Sequence, residues 1–198
     1  IVAYGAGSSP ALIQALYISK GPMLIAALVE FGIVWYLSSR IYKLSLASAT
    51  LWFILFSAIN GLTLGWIFAV YKIAIIAKTF FVTAGTFGAM ALIGSTTKKD
   101  LTKFGGILFM ALIGLIIASL VNLFLHSSTM DYIVSIVGVL IFTGLTAWDA
   151  QAIKRNLLMA PDAGESAQKI ALLGSLSLYL DFINLFLYLL RFFGNNKN

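Results

Sequence analysis

The chain has 198 residues, of which 61% are hydrophobic and 10% charged, with a net charge of +6, no cysteine and one histidine. A soluble domain carries roughly 25% charged residues, so this chain needs lipid as its solvent, and a water-soluble globule is excluded. Disulfides, thiolate metal sites and cysteine nucleophiles are excluded with the cysteines, and the lone His126, placed in a loop, excludes a multi-histidine metal centre.

In chain order, Ile1–Gly7 reads as the end of an incomplete helix, broken by Gly7-Ser-Ser-Pro10, with a short or interfacial turn over Ala11–Ser19. A membrane-crossing helix needs roughly 20 mainly apolar residues. Six segments supply them: 21–39, 45–70, 73–95, 104–126, 132–157 and 171–193. With the incomplete helix as the first, the expectation is an all-α polytopic membrane bundle of seven transmembrane helices. Six helices plus a surface segment is the alternative. No Pro/Ser/Gly-rich linker divides residues 1–198, which therefore read as a single transmembrane domain.

The breaks carry the charge: Arg40 and Lys43, then Lys72, then Lys98 to Lys103, then His126 to Asp131, then Lys154 to Lys169. The connections after the second, fourth and sixth helices hold eight of the thirteen Lys and Arg residues. The positive-inside rule puts that side in the cytoplasm and the C-terminus outside. The basic balance is a topology signal, and no nucleic acid is expected as a partner. Small residues recur at four-residue spacing, at Ser57, Gly61 and Gly65, at Ala84 and Gly88, at Gly85 and Ala89, and at Gly114 and Ala118. In lipid such residues let helix backbones approach closely.

Of seven acidic residues, Asp100, Asp131, Asp162 and Glu165 fall in predicted loops, and Glu30, Asp149 and Asp181 lie inside apolar runs. An aspartate at a helix centre costs about 3 kcal/mol on insertion scales, so such residues face the bundle interior and mark function. Asp149 and Asp181 lie 16 residues before and after Glu165, in a loop marked by Pro161 and Asp162-Ala-Gly. Roughly ten helical residues from each loop edge put both carboxyls about 15 Å deep on adjacent antiparallel helices. On the last helix, Ser177, Asp181, Asn184, Tyr188 and Arg191 form one stripe among Leu, Ile and Phe. A polar stripe must point at protein or water, so this helix is expected at the centre of the bundle. Thr146 lies beside Asp149 on the same side. Two carboxyls so close share a proton and titrate in coupled steps, as a pH-sensitive gate or as a permanently protonated clamp. Arg40, at the end of the second helix, is a candidate latch on the pair or a headgroup anchor. Glu30, about 15 Å deeper or less, extends an acidic path or bonds to a neighbouring helix.

Carboxylates suit Ca²⁺ or protons. Asp149 and Asp181 with Asn184, Tyr188 and carbonyls would hold Ca²⁺ weakly and transiently, as conduction requires. No cofactor is expected beyond Ca²⁺ as the transported ion. Intramembrane aspartyl proteases also pair two aspartates, but their Gly-x-Gly-Asp motif is absent: the contexts here are Thr146-Ala-Trp-Asp149 and Leu178-Tyr-Leu-Asp181. The chain is not expected to be an enzyme. An opsin would need a lysine in the last helix, and none lies between Ala171 and Leu190. A proton-coupled cation transporter and a non-conducting regulatory protein with membrane-protein partners remain as rivals.

The run Ser175-Leu-Ser-Leu-Tyr-Leu-Asp-Phe-Ile-Asn-Leu-Phe-Leu-Tyr-Leu-Leu-Arg-Phe-Phe-Gly194 resembles the C-terminal signature of the transmembrane Bax inhibitor motif family. Lys98-Lys-Asp-Leu101 and Asn60-Gly-Leu-Thr-Leu-Gly65 fit its pattern too, and the resemblance runs from about residue 21 to the end. It implies seven helices with the last at the centre, in a bacterial plasma membrane. It also implies a pH-sensitive Ca²⁺ leak whose sensor matches Asp149 and Asp181, with Arg40 and Glu30 matching a contacting arginine and a second-helix glutamate. Other members are described as modulators of membrane proteases or of cell death.

Overall fold

The computed structural model describes residues 1–18, 20–161 and 163–195. Asp162 and Lys197, expected in a loop and near the C-terminus, lie outside the described residues, as does Ser19. In chain order the elements are α1 (Val2–Ser8), α2 (Pro10–Leu12), a π-helical turn (Ile13–Tyr17), α3 (Lys20–Arg40), α4 (Leu46–Leu64), α5 (Trp66–Val70), α6 (Ile73–Thr96), α7 (Thr102–Leu125), α8 (Ser128–Leu158) and α9 (Glu165–Asn195). There is no strand among the described residues. Six helical stretches, with α4 and α5 taken together, are long and apolar enough to cross a membrane. The molecule is a helical membrane bundle, with outward faces of large apolar residues such as Phe31, Trp35, Phe81, Phe109 and Leu140. Helix α1 has seven residues and is too short to cross by itself.

Local chemistry sets the boundaries. Ser45 caps α4 by accepting from Ser48 N at 3.2 Å, and Ser127 caps α8 by accepting from Met130 N at 3.3 Å. Asp100 accepts from Thr102 N at 2.9 Å and from its hydroxyl at 2.6 Å. These bonds hold the Asp100 carboxyl below its ordinary range. His126 ends α7 in the left-handed region, φ 49°.

Two expectations need correction at helix ends. Asp131 is in the first turn of α8 and Glu165 opens α9, so neither is a loop residue. Both helices run 31 residues, longer than a membrane crossing requires, because capped polar turns extend them past the apolar run. At the start of α9, Glu165 pairs with Lys169 one turn on, at 2.8 Å.

The chain forms two compact units, Ile1–Ile76 with Pro161–Leu173 and Ala77–Ala160 with Gly174–Asn198. In the first, α1 packs on α4 and α5. The small residues expected there do let it approach: a Cβ on Gly61 would stand 2.9 Å from Val2, and Gly65 abuts Ala6 and the Tyr17 hydroxyl. The predicted 45–70 helix breaks at Gly65. Tyr17 donates to the Leu62 carbonyl at 2.6 Å, while Gly65 N donates to that same carbonyl at 3.1 Å. A side chain inserted into the helical ladder is an ordinary cause of a kink. Tyr17→Phe should therefore lower thermal stability in detergent by about 1 kcal/mol, and an unchanged melting curve would show that the kink does not depend on this bond.

In the second unit α7, α8 and α9 share a core of Leu115, Val134, Ile141, Phe142, Leu145 and Leu185, and Phe87 of α6 packs against it. Here the glycines of the small-residue stripes meet no neighbour, since Gly85, Gly88 and Gly114 have nothing within 4 Å of an added Cβ, whereas Ala118 packs against the core. Spacing alone does not fix which face of a helix meets a neighbour. From Leu176 to Gly194 no residue of α9 is exposed.

Candidate functional site

Helices α8 and α9 run antiparallel, and two glycines let them close. A Cβ on Gly174 would stand 2.6 Å from Ile153, and one on Gly138 would stand 2.6 Å from the Tyr188 ring. Gly174 and Tyr188 lie seven residues before and after Asp181. Asp181 is thus carried on the stretch of α9 held against α8 at both ends. Asp149 faces it from α8, with the two carboxyls close enough to interact. The expected convergence is present.

Asp181 is 5% exposed and Asp149 is half-buried. Among the described residues no donor group reaches the buried Asp181 Oδ2. A buried polar atom without a partner is costly. The neighbouring Thr146 does not serve it, since its hydroxyl donates to Phe142 O of its own helix at 2.7 Å.

The rest of the α9 stripe leads away from the pair. Asn184 donates to Leu180 O of its own helix at 2.8 Å. Tyr188 stacks on Phe142, with ring centroids 5.8 Å apart, and the Arg191 guanidinium lies over its ring at 5.8 Å. Tyr188 and Arg191 wall a cavity of about 560 Å³ together with Asn122, His126 and Asp131.

Sequence reasoning missed the cluster at this mouth. Asn122 donates to Asp131 Oδ1 at 2.8 Å and to Ser127 O at 3.2 Å, and it accepts from Ser127 N at 3.1 Å. Arg191 Nη1 lies 3.9 Å from Asp131 Oδ1. The available signal was an amide inside an apolar run, five residues before a serine turn.

Glu30 and Arg40 belong to the first unit. Glu30 is bonded to the neighbouring helix α4, accepting from Asn60 Nδ2 at 3.0 Å and from the Thr63 hydroxyl at 2.7 Å. Both donors come from the Asn60–Gly65 motif. Arg40, the last residue of α3, is exposed, and among the described residues it forms no ion pair. Thr63→Val leaves one Glu30 oxygen without its donor and should cost about 1–3 kcal/mol. Thermal unfolding in detergent reads this, and Thr63→Ser should restore most of the loss.

Comparison with known proteins agrees with this architecture. The family described as inhibitor of apoptosis-promoting Bax1 matches residues 1–198. Inner membrane protein YbhL of Escherichia coli K12 is 48% identical over 198 residues, covering 99% of this chain and 84% of that protein. A Borreliella burgdorferi protein is 45% identical over 198 residues, covering 100% of this chain and 85% of its own length. A membrane protein of Streptococcus pyogenes serotype M1 is 43% identical over 171 residues, or 86% of this chain and 73% of that protein. With its whole length matched, and with six helices able to span a bilayer, the chain belongs to the Bax inhibitor-1-like family and is a multi-pass integral membrane protein similar to a bacterial inner membrane protein.

Proposed function

We propose that this protein is a passive Ca²⁺ leak channel whose conduction is set by protonation of the Asp149–Asp181 pair. The observation that carries the reading is the pair itself: two carboxyls on adjacent helices, close enough to interact, one of them deeply buried. Carboxylates are hard oxygen ligands, and Ca²⁺ takes six to eight oxygens. Two carboxylates with Asn184, Tyr188 and backbone carbonyls fall short of a tight site, and weak binding is what allows an ion to leave. On this reading the cavity at Tyr188 and Arg191 is an entrance, and the α9 stripe leads from it to Asp181. Glu30 and Arg40 are assigned to the path and its gate from the sequence and the family resemblance. The protein has no catalytic role on this account.

The test is Ca²⁺ entry into liposomes holding purified protein, with and without an opposing proton gradient. A channel passes Ca²⁺ down its own gradient in both cases. Entry that strictly requires the proton gradient would replace the channel with a proton-coupled cation transporter using the same pair.

A further inference from the structure

A second site lies at the lysine-rich end of the second unit. A cavity of about 450 Å³ opens between α6, α7 and α8, walled by Met90, Ile93, Phe104, Leu108 and Trp148, with Lys99 at its mouth. That volume is on the scale of ligand pockets, roughly 300–1,000 Å³, and its wall is apolar except at the mouth.

The mouth is built rather than loose. Gln151 of α8 donates to Lys99 O at 2.8 Å and accepts from Leu101 N at 2.8 Å. Lys154 donates to Ser95 O at 2.7 Å and Arg155 to the Thr102 hydroxyl at 2.8 Å. The 96–102 connection is thus fastened to α8 on both sides of Lys99. The ammonium groups of Lys98, Lys99 and Lys103 make no hydrogen bond or ion pair among the described residues. The nearby acid Asp100 is occupied by Thr102.

Below the mouth, the Trp148 indole N–H is buried without a partner, and its ring lies against Gly105. Trp148 is one helical turn from Gln151, about 5 Å further into the bundle. A cation at the mouth above an apolar slot matches the phosphate and acyl layers of a phospholipid. Basic pockets between transmembrane helices recognise anionic headgroups.

We propose that this slot binds one anionic phospholipid, with its headgroup phosphate on Lys99 and an acyl chain between Met90, Phe104 and Leu108. The site stands independently of what the protein conducts. The clamped connection that carries Lys99 favours a lipid held at one place over a diffuse basic surface.

The experiment is native mass spectrometry of detergent-solubilised protein with equal phosphatidylglycerol and phosphatidylcholine, for wild type, Lys99→Gln, Lys98→Gln and Met90→Trp. Wild type should retain phosphatidylglycerol preferentially. Lys99→Gln should weaken that retention about fivefold and leave phosphatidylcholine unchanged. Met90→Trp, which fills the slot, should reduce retention of both lipids, and Lys98→Gln, outside the slot, should have the smaller effect. Lys99 is exposed, so its substitution tests the site even if Met90→Trp unfolds the protein. Equal retention of the two lipids by wild type, no loss in Lys99→Gln, or an equal loss in Lys98→Gln would overturn the proposal.

Discussion

Asp149→Asn and Asp181→Asn are each expected to abolish the pH dependence of Ca²⁺ flux, because a close carboxyl pair titrates in coupled steps. Asparagine keeps the shape of aspartate, but its amide cannot ionise. In either variant an amide faces the remaining carboxyl in place of an ionisable group. Because the two carboxyls lie close enough to interact, the two single variants are expected to behave alike. Asp131→Asn is the control. It removes a carboxyl that faces Asn122 and Arg191 at the cavity mouth, so it should alter flux without removing its pH dependence. A pH response that survives in both pair variants, or that vanishes in Asp131→Asn, would place the sensor outside the pair.

Gly138→Leu is expected to be strongly destabilising. Any Cβ at Gly138 would stand 2.6 Å from the Tyr188 ring, and the ring cannot retreat freely because Phe142 stacks on it. Overpacking of this kind costs about 1–3 kcal/mol. Displacement of Tyr188 also loosens the stretch of α9 that carries Asp181, so the pH response should weaken together with the melting temperature. Gly85→Leu is the matched control: nothing lies within 4 Å of a Cβ there, and its effect should stay within about 0.5 kcal/mol. Thermal unfolding in detergent compares them. Equal effects at the two glycines would mean that the α8–α9 contact does not govern stability.

The apolar runs gave the spans closely, 73–95 against Ile73–Thr96 and 104–126 against Thr102–Leu125. Lipid demands a continuous run of apolar residues, and such runs are visible in any one sequence. The Asp149–Asp181 convergence was legible for a related reason: an antiparallel pair joined by a short loop fixes depth, and the polar stripe of α9 fixes the face. What was not legible depended on the neighbour. The ladder bond from Tyr17 to Leu62 crosses 45 residues, and no local pattern announces it. Gly85 and Gly61 read alike in sequence, yet only Gly61 meets another helix. The Asn122–Asp131–Arg191 cluster draws on three helices, and its members had each been assigned to separate roles or to none. Likewise, the helix-bonded alternative for Glu30 became visible only when Asn60 and Thr63 were placed beside it.

The measurement that tests the central claim most directly is Ca²⁺ influx into liposomes containing the wild-type protein, followed with a trapped indicator at several pH values and with equal pH on both sides. The account predicts influx above that of empty liposomes, running down the Ca²⁺ gradient and changing with pH. Influx no greater than in empty liposomes at every pH would contradict it, and would leave a regulatory protein acting through partners in the membrane as the better description.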